Sequence, residues 1–195
     1  VLAIVLGSGA DAGAETDWPA PRGFVNDFAN VLSVDQATTL QDIATRLKEG
    51  TGAELAIAIV PTVAPLDAKS YAVELFARWK IGREGRDDGL LILLAMAERR
   101  IEVEVGYGLE GALPDGRVGR ILDEFAVPHF REGRMGEGVV ATAEALARVV
   151  AGTEGADAIG AGASTGPDEG FPHGAIAFIL SLPILLLLAT VMKRP

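Results

Sequence analysis

Residues 87–106 read DDGLLILLAMAERRIEVEVG. Leu90 to Ala97 form an apolar run with no polar interruption, the length and composition of a strand covered on both faces. Glu98 and Arg99 make a tight turn, after which Ile101, Val103 and Val105 alternate with Glu102 and Glu104. Strict alternation marks a strand with one buried and one polar face, the antiparallel or edge partner of the run before it.

Working upstream, residues 54–60 (ELAIAIV), stopped by Pro61, read as another doubly covered strand. Ser33 and Gln36 make an S-x-x-Q capping box for a helix whose apolar stripe is Leu40, Ile43, Ala44 and Leu47, and Gly50 and Gly52 end it. Asp67 caps a second helix through Tyr71, Leu75, Phe76 and Trp79, ending near Lys80 and Gly82. Downstream, two more helices are predicted over about 116–126 and 136–151, with a turn at Pro128 and His129. The order α-β-α-β-β-α-α implies an α/β fold, a three-layer α/β/α sandwich around a small mixed sheet.

The chain ends carry different signals. Residues 174–192 (GAIAFILSLPILLLLATVM) contain no charge and are followed by Lys193 and Arg194. A helix of that length is about 28 Å long, matched to a hydrocarbon core of about 30 Å, so the reading is one C-terminal transmembrane helix. Pro183 is tolerable there as a kink. Basic residues stay on the cytoplasmic side, which puts the C-terminal tip, 193–195, inside and everything before Gly174 outside. Residues 1–14 read as the remnant of a signal peptide, with A-x-A patterns at 10–12 and 12–14. The expected organisation is then a Pro-rich leader over 15–23, a folded domain over 24–152, and a Gly, Ala and acid-rich tether over 153–173.

The net charge is −10, from 17 Lys and Arg against 27 Asp and Glu. Residues 15–172 alone carry −11. That excess of acid argues against nucleic acid as a partner, since phosphate binding needs clustered Lys and Arg. There is no cysteine, so disulfides, thiolate metal sites and thiol nucleophiles are excluded. With only His129 and His173, a His-rich zinc site is excluded as well.

Carboxylates are therefore the chemistry the chain offers. Asp27 precedes the first helix, Asp87 and Asp88 precede a buried strand, and Glu110 and Asp115 follow the alternating strand in the loop after Gly106-Tyr107-Gly108. Oxygen ligands drawn from several loops are what Ca²⁺ or Mg²⁺ requires. Each also has a structural alternative: Asp27 as a turn or cap residue, Asp87-Asp88-Gly89 as a turn, and Arg83 or Arg86 as the charge that offsets the Asp pair.

The stretches Val25-Asn26-Asp27, Asp87-Asp88-Gly89-Leu90-Leu91-Ile92, Val105 through Gly111 and Pro128-His129-Phe130-Arg131, in that order, resemble the TPM domain family. That family is known from a thylakoid-lumen phosphatase-like protein, a photosystem II repair factor, an acetylcholine-receptor modulator and bacterial YgcG-like proteins. The resemblance implies an α/β/α sandwich outside the cytoplasm, often followed by one membrane helix. It also implies divalent-cation binding, Ca²⁺ foremost, at Asp27, Asp87 and Asp88, with Glu110 and Asp115 as further candidates. The expected function is a membrane-anchored accessory, assembly or repair factor for a membrane or envelope protein. The alternative is a metal-assisted acid phosphatase acting on phosphomonoesters.

Overall fold

The computed structural model describes residues 18–152. Their centre is a four-stranded mixed sheet of β1 (Val25–Asp27), β2 (Glu54–Val60), β3 (Gly89–Ala95) and β4 (Arg100–Val105), in that spatial order. β1, β2 and β3 run parallel, and β4 returns antiparallel to β3 with Leu90 opposite Val105 and Ala95 opposite Arg100.

The two continuous apolar runs follow from the covering of both sheet faces. Leu55, Ile57 and Ile59 of β2 and Leu90, Ile92 and Leu94 of β3 enter one core with α1 (Val34–Thr51) and α5 (Met135–Val150). The intervening Ala56, Ala58, Leu91, Leu93 and Ala95 enter the other core with α2 (Ala68–Trp79). Small side chains dominate where Tyr71 and Leu75 of α2 are seated, which lets a single helix fill that face. Successive parallel strands step across the sheet in one direction while α1 and α2 lie on opposite faces. The two crossovers therefore have opposite hands, a departure from the usual right-handed rule.

Helix ends are made as their sequences predict. The Ser33 hydroxyl accepts from the Gln36 amide while the Gln36 side chain accepts from the Ser33 amide. Gly52, left-handed at φ 80°, ends α1, so Gly50 lies inside that helix and does not end it. Asp67 caps α2 and accepts from the Ser70 amide.

Two further expectations are corrected. Residues 25–27, read only as the approach to the first helix, form strand β1, too short to display a period. Pro128 and His129 do not form a turn. They lie in α4 (Val127–Arg131), which continues from α3 (Asp115–Ile121) through a π turn at Leu122–Ala126. The Val127 amide bonds the Leu122 carbonyl five residues back, and Pro128, having no amide hydrogen, needs no acceptor of its own. The helix thus passes a proline by widening one turn.

Part of the leader belongs to the fold: Trp18 stacks on Tyr71 at 4.6 Å under the Arg78 guanidinium, and the Trp79 indole donates to the Pro19 carbonyl at 2.8 Å. No helix among the described residues is long and apolar enough to cross a membrane. The signal remnant over 1–14, the tether over 153–173 and the membrane helix over 174–192 lie outside the described residues.

Candidate functional site

The carboxylates singled out in the sequence are divided between the two ends of the sheet. Asp27 closes β1 and pairs in register with Ile59, whereas Gly89, the first residue of β3, pairs with Glu54. Those two positions are five residues apart along β2, about 16 Å at about 3.3 Å per residue. Calcium accepts oxygens at about 2.3–2.6 Å, so one ion does not take ligands from Asp27 and from the Asp87-Asp88 pair.

Asp27 is occupied by its own loop. Its Oδ1 accepts from the Ala29 amide at 3.1 Å, and its Oδ2 from the Val31 and Leu32 amides at 2.7 and 2.8 Å. These bonds wind residues 28–32, with Asn30 left-handed at φ 54°, into the turn that delivers Ser33 to its cap position. Asn26 beside it is buried, accepting from the Arg22 amide and donating to the Gly23 and Ile57 carbonyls. The turn reading of Asp27 describes what this side chain does.

At the other end, Asp88 is buried and its carboxylate is gripped by one residue. The Arg83 amide donates to Oδ1 at 2.9 Å, the Arg83 Nε donates to Oδ2 at 2.8 Å, and the Nη2 of the same guanidinium completes the fork on Oδ2. Burial pushes the Asp88 carboxyl up; the Arg83 hydrogen bonds and charge outweigh it and hold the group below its ordinary value of 3.8. The Asp88 carbonyl meanwhile accepts from the Glu54 amide at 3.0 Å, tying the loop to β2. Arg83, noted in the sequence only as a possible offset to the Asp pair, is the partner that fixes Asp88.

Against this clamped loop lies the Gly-Tyr-Gly segment. The Gly106 amide donates to the Gly89 carbonyl at 2.8 Å, and the Gly108 amide to the Asp87 carbonyl at 3.0 Å. A Cβ at Gly106 would stand 2.1 Å from the Asp87 carbonyl oxygen, and one at Gly108 2.0 Å from that of Arg86. Both positions need glycine because the two backbones touch. The outcome is Tyr107 held out at 79% exposure, while Leu113, 1% exposed, anchors the far side of the turn. Asp87 (φ 50°) and Glu110 are exposed on these touching loops, and Asp115 is exposed in the first turn of α3. Among the described residues no group of three or more His, Cys, Asp or Glu side chains is arranged to hold a metal. Exposed Tyr107 was not legible as a site feature: aromatic residues are usually buried, and only the flanking glycines hinted at a close approach.

A family model described as the TPM domain matches residues 25–149. The chain belongs to the TPM domain family. Among solved structures, its TPM domain is similar to the N-terminal domain of a protein from P. gingivalis, with 32% identity, a TM-score of 0.63, and coverage of 67% of this chain and 83% of that one. The BA42 protein from the psychrophilic bacterium Bizionia argentinensis shares 16% identity at a TM-score of 0.55, covering 65% of this chain and 86% of its own. The N-terminal domain of the cg2496 protein from Corynebacterium glutamicum shares 15% identity at a TM-score of 0.52, covering 71% and 86%. The latter two are likenesses of fold. No curated protein matches the chain.

The Asp88 clamp has a pH signature in this TPM domain. A carboxyl lowered by folding contributes its full stabilisation above its ordinary value and loses it as pH falls through the lower folded value. Asp88→Asn is expected to cost about 2 kcal/mol near neutral pH and to flatten the acid limb of a plot of Tm against pH. Equal stability of the variant and the wild type at pH 7 would contradict the clamp.

Proposed function

We propose that this chain is a membrane-tethered, extracytoplasmic accessory factor whose TPM domain engages a membrane or envelope protein through the Tyr107 loop. The observation that carries this reading is the exposure of Tyr107 on a loop braced by backbone contact at two glycines. An aromatic side chain held in water loses little conformational freedom on binding, which is why such residues concentrate interface energy. The apolar, uncharged span over 174–192 and the remnant over 1–14 support the tether and the topology.

In this reading a divalent cation, Ca²⁺ foremost, binds at the same end. Exposed Asp87 and Glu110 are the side chains available to it, with water completing the shell as is common in weak extracellular sites. Asp27 and Asp88 are left out, being engaged by backbone amides and by Arg83. The phosphomonoesterase alternative has no comparable support, since it draws on the carboxylates that the sheet register separates.

Cross-linking of the full chain in its own membranes is expected to give a discrete adduct that Tyr107→Ala reduces at least tenfold without lowering Tm. An adduct undiminished in that variant would refute the loop as the contact. For the cation, millimolar CaCl₂ should raise the Tm of the full chain, and the Asp87→Ala, Glu110→Ala double variant should lose that rise. No shift in the wild type, or the same shift in the variant, would remove calcium from the account.

A further inference from the structure

β4 is an edge strand whose outer side is free among the described residues. The Gly106 amide bonds the Gly89 carbonyl, which makes that facing pair hydrogen-bonded, and in an antiparallel ladder such pairs alternate with non-bonded ones. By that alternation Arg100, Glu102 and Glu104 turn their main-chain groups toward β3, while Ile101, Val103 and Val105 present N–H and C=O to the open edge. Long uncovered edges of this kind are ready to pair with another strand.

At the Arg100–Glu102 end of that edge lies a cleft of about 440 Å³, within the usual range of ligand sites. Its floor is apolar and half-buried: Met96 and Ile101 on the sheet side face Leu122, Val127, Phe130 and Met135 on the helical side. Two methionines give it an adaptable surface. The π turn Leu122–Ala126 supplies part of the wall. Ile101, Val103 and Val105 face this same side of the sheet, so a strand laid along β4 would turn alternate side chains to that face and, at its Ile101 end, toward the cleft.

Charge selects the occupant. In an acidic domain this cleft is rimmed by Arg99, Arg100 and Arg131, and Arg99 and Arg131 make no ion pair among the described residues. Asp123 also lines it, and at its border stands Glu102 from the opposite face of β4, 3.6 Å from Arg100. The opposite face of β4 is acidic, with Glu104 held by Lys69 at 2.6 Å. Acidic side chains in an added strand are thus favoured beside the arginines at the Arg100 end and disfavoured along the Glu102 and Glu104 face.

We infer that β4 and its cleft take an extended segment of the partner protein as a fifth strand, with apolar residues toward the cleft, neutral residues on the opposite face and an acidic end beside Arg99, Arg100 and Arg131. This rests on the reading of the domain as one that engages a protein partner, and adds the mode and chemistry of that contact.

The test uses the full chain, isotopically labelled, with two synthetic peptides, TVTVTVDE and its lysine-ended counterpart TVTVTVKK. The acidic peptide is expected to shift the Ile101, Val103 and Val105 amides and slow their hydrogen exchange. It should bind at least tenfold more tightly than the lysine form, and lose at least tenfold in the Arg99→Glu, Arg131→Glu double variant, whose exposed substitutions leave Tm unchanged. Equal binding of the two peptides, or unchanged exchange at those three amides, would overturn the inference. Concentration-dependent shifts at the same amides without peptide would assign the edge to a second copy of the chain and overturn it too. Binding of dodecanoate in the cleft that excludes the peptide, with no change at the three amides, would do so in favour of a small anionic amphiphile. If these arms fail while Tyr107→Ala still reduces the cross-linked adduct at least tenfold, this inference falls and the parent reading stands; if the adduct is insensitive to Tyr107, the parent reading falls.

Discussion

The fork of Arg83 on the buried carboxylate of Asp88 is the constraint around which one end of this molecule is organised. It fixes the loop that enters β3, and that loop in turn offers the carbonyls of Arg86 and Asp87 as a wall against which residues 106–108 lie. Neither glycine can carry a side chain there, so the segment packs backbone to backbone against that wall and leaves Tyr107 exposed. A buried ion pair is a costly way to build a loop, because both charges lose water. Here the Arg83 side chain remains 40% exposed and the carboxylate receives donors on both oxygens, so the desolvation falls mainly on a group that is fully hydrogen-bonded.

At the opposite end of the sheet Asp27 does the corresponding work with neutral donors. Three backbone amides converge on its carboxylate and turn the chain from β1 into the cap of α1. The two acids are alike in composition and in their position near strand ends. They differ in what they hold: one orders the start of the first crossover, the other the platform under the exposed aromatic.

What could be read from the sequence follows from the range of the interactions involved. The doubly covered strands, the capping box at Ser33 and the alternation in residues 100–105 are local patterns, and all three are present. β1 has three residues and no pattern, so it exists only through its register with β2. Pro128 is a strong local breaker, yet the packing of α3, the π turn and α4 against α5 keeps the helical path and absorbs the proline in a wide turn. The acids were visible as residue types, but their partners were not. Any residue supplies the amides that bind Asp27, and Arg83 was one of two arginines within reach of the Asp pair. The division of those acids between two sheet ends is a property of parallel register, which no spacing along the chain encodes.

The dependence of the Tyr107 platform on the Arg83–Asp88 fork is most directly measured by hydrogen exchange at the Gly108 amide, which donates to Asp87. The account predicts that this amide is protected in the wild type and loses at least tenfold of its protection in Asp88→Asn, while amides of β2 such as that of Ile57 stay protected. Free exchange at Gly108 in the wild type, or protection unaffected by the substitution, would contradict it.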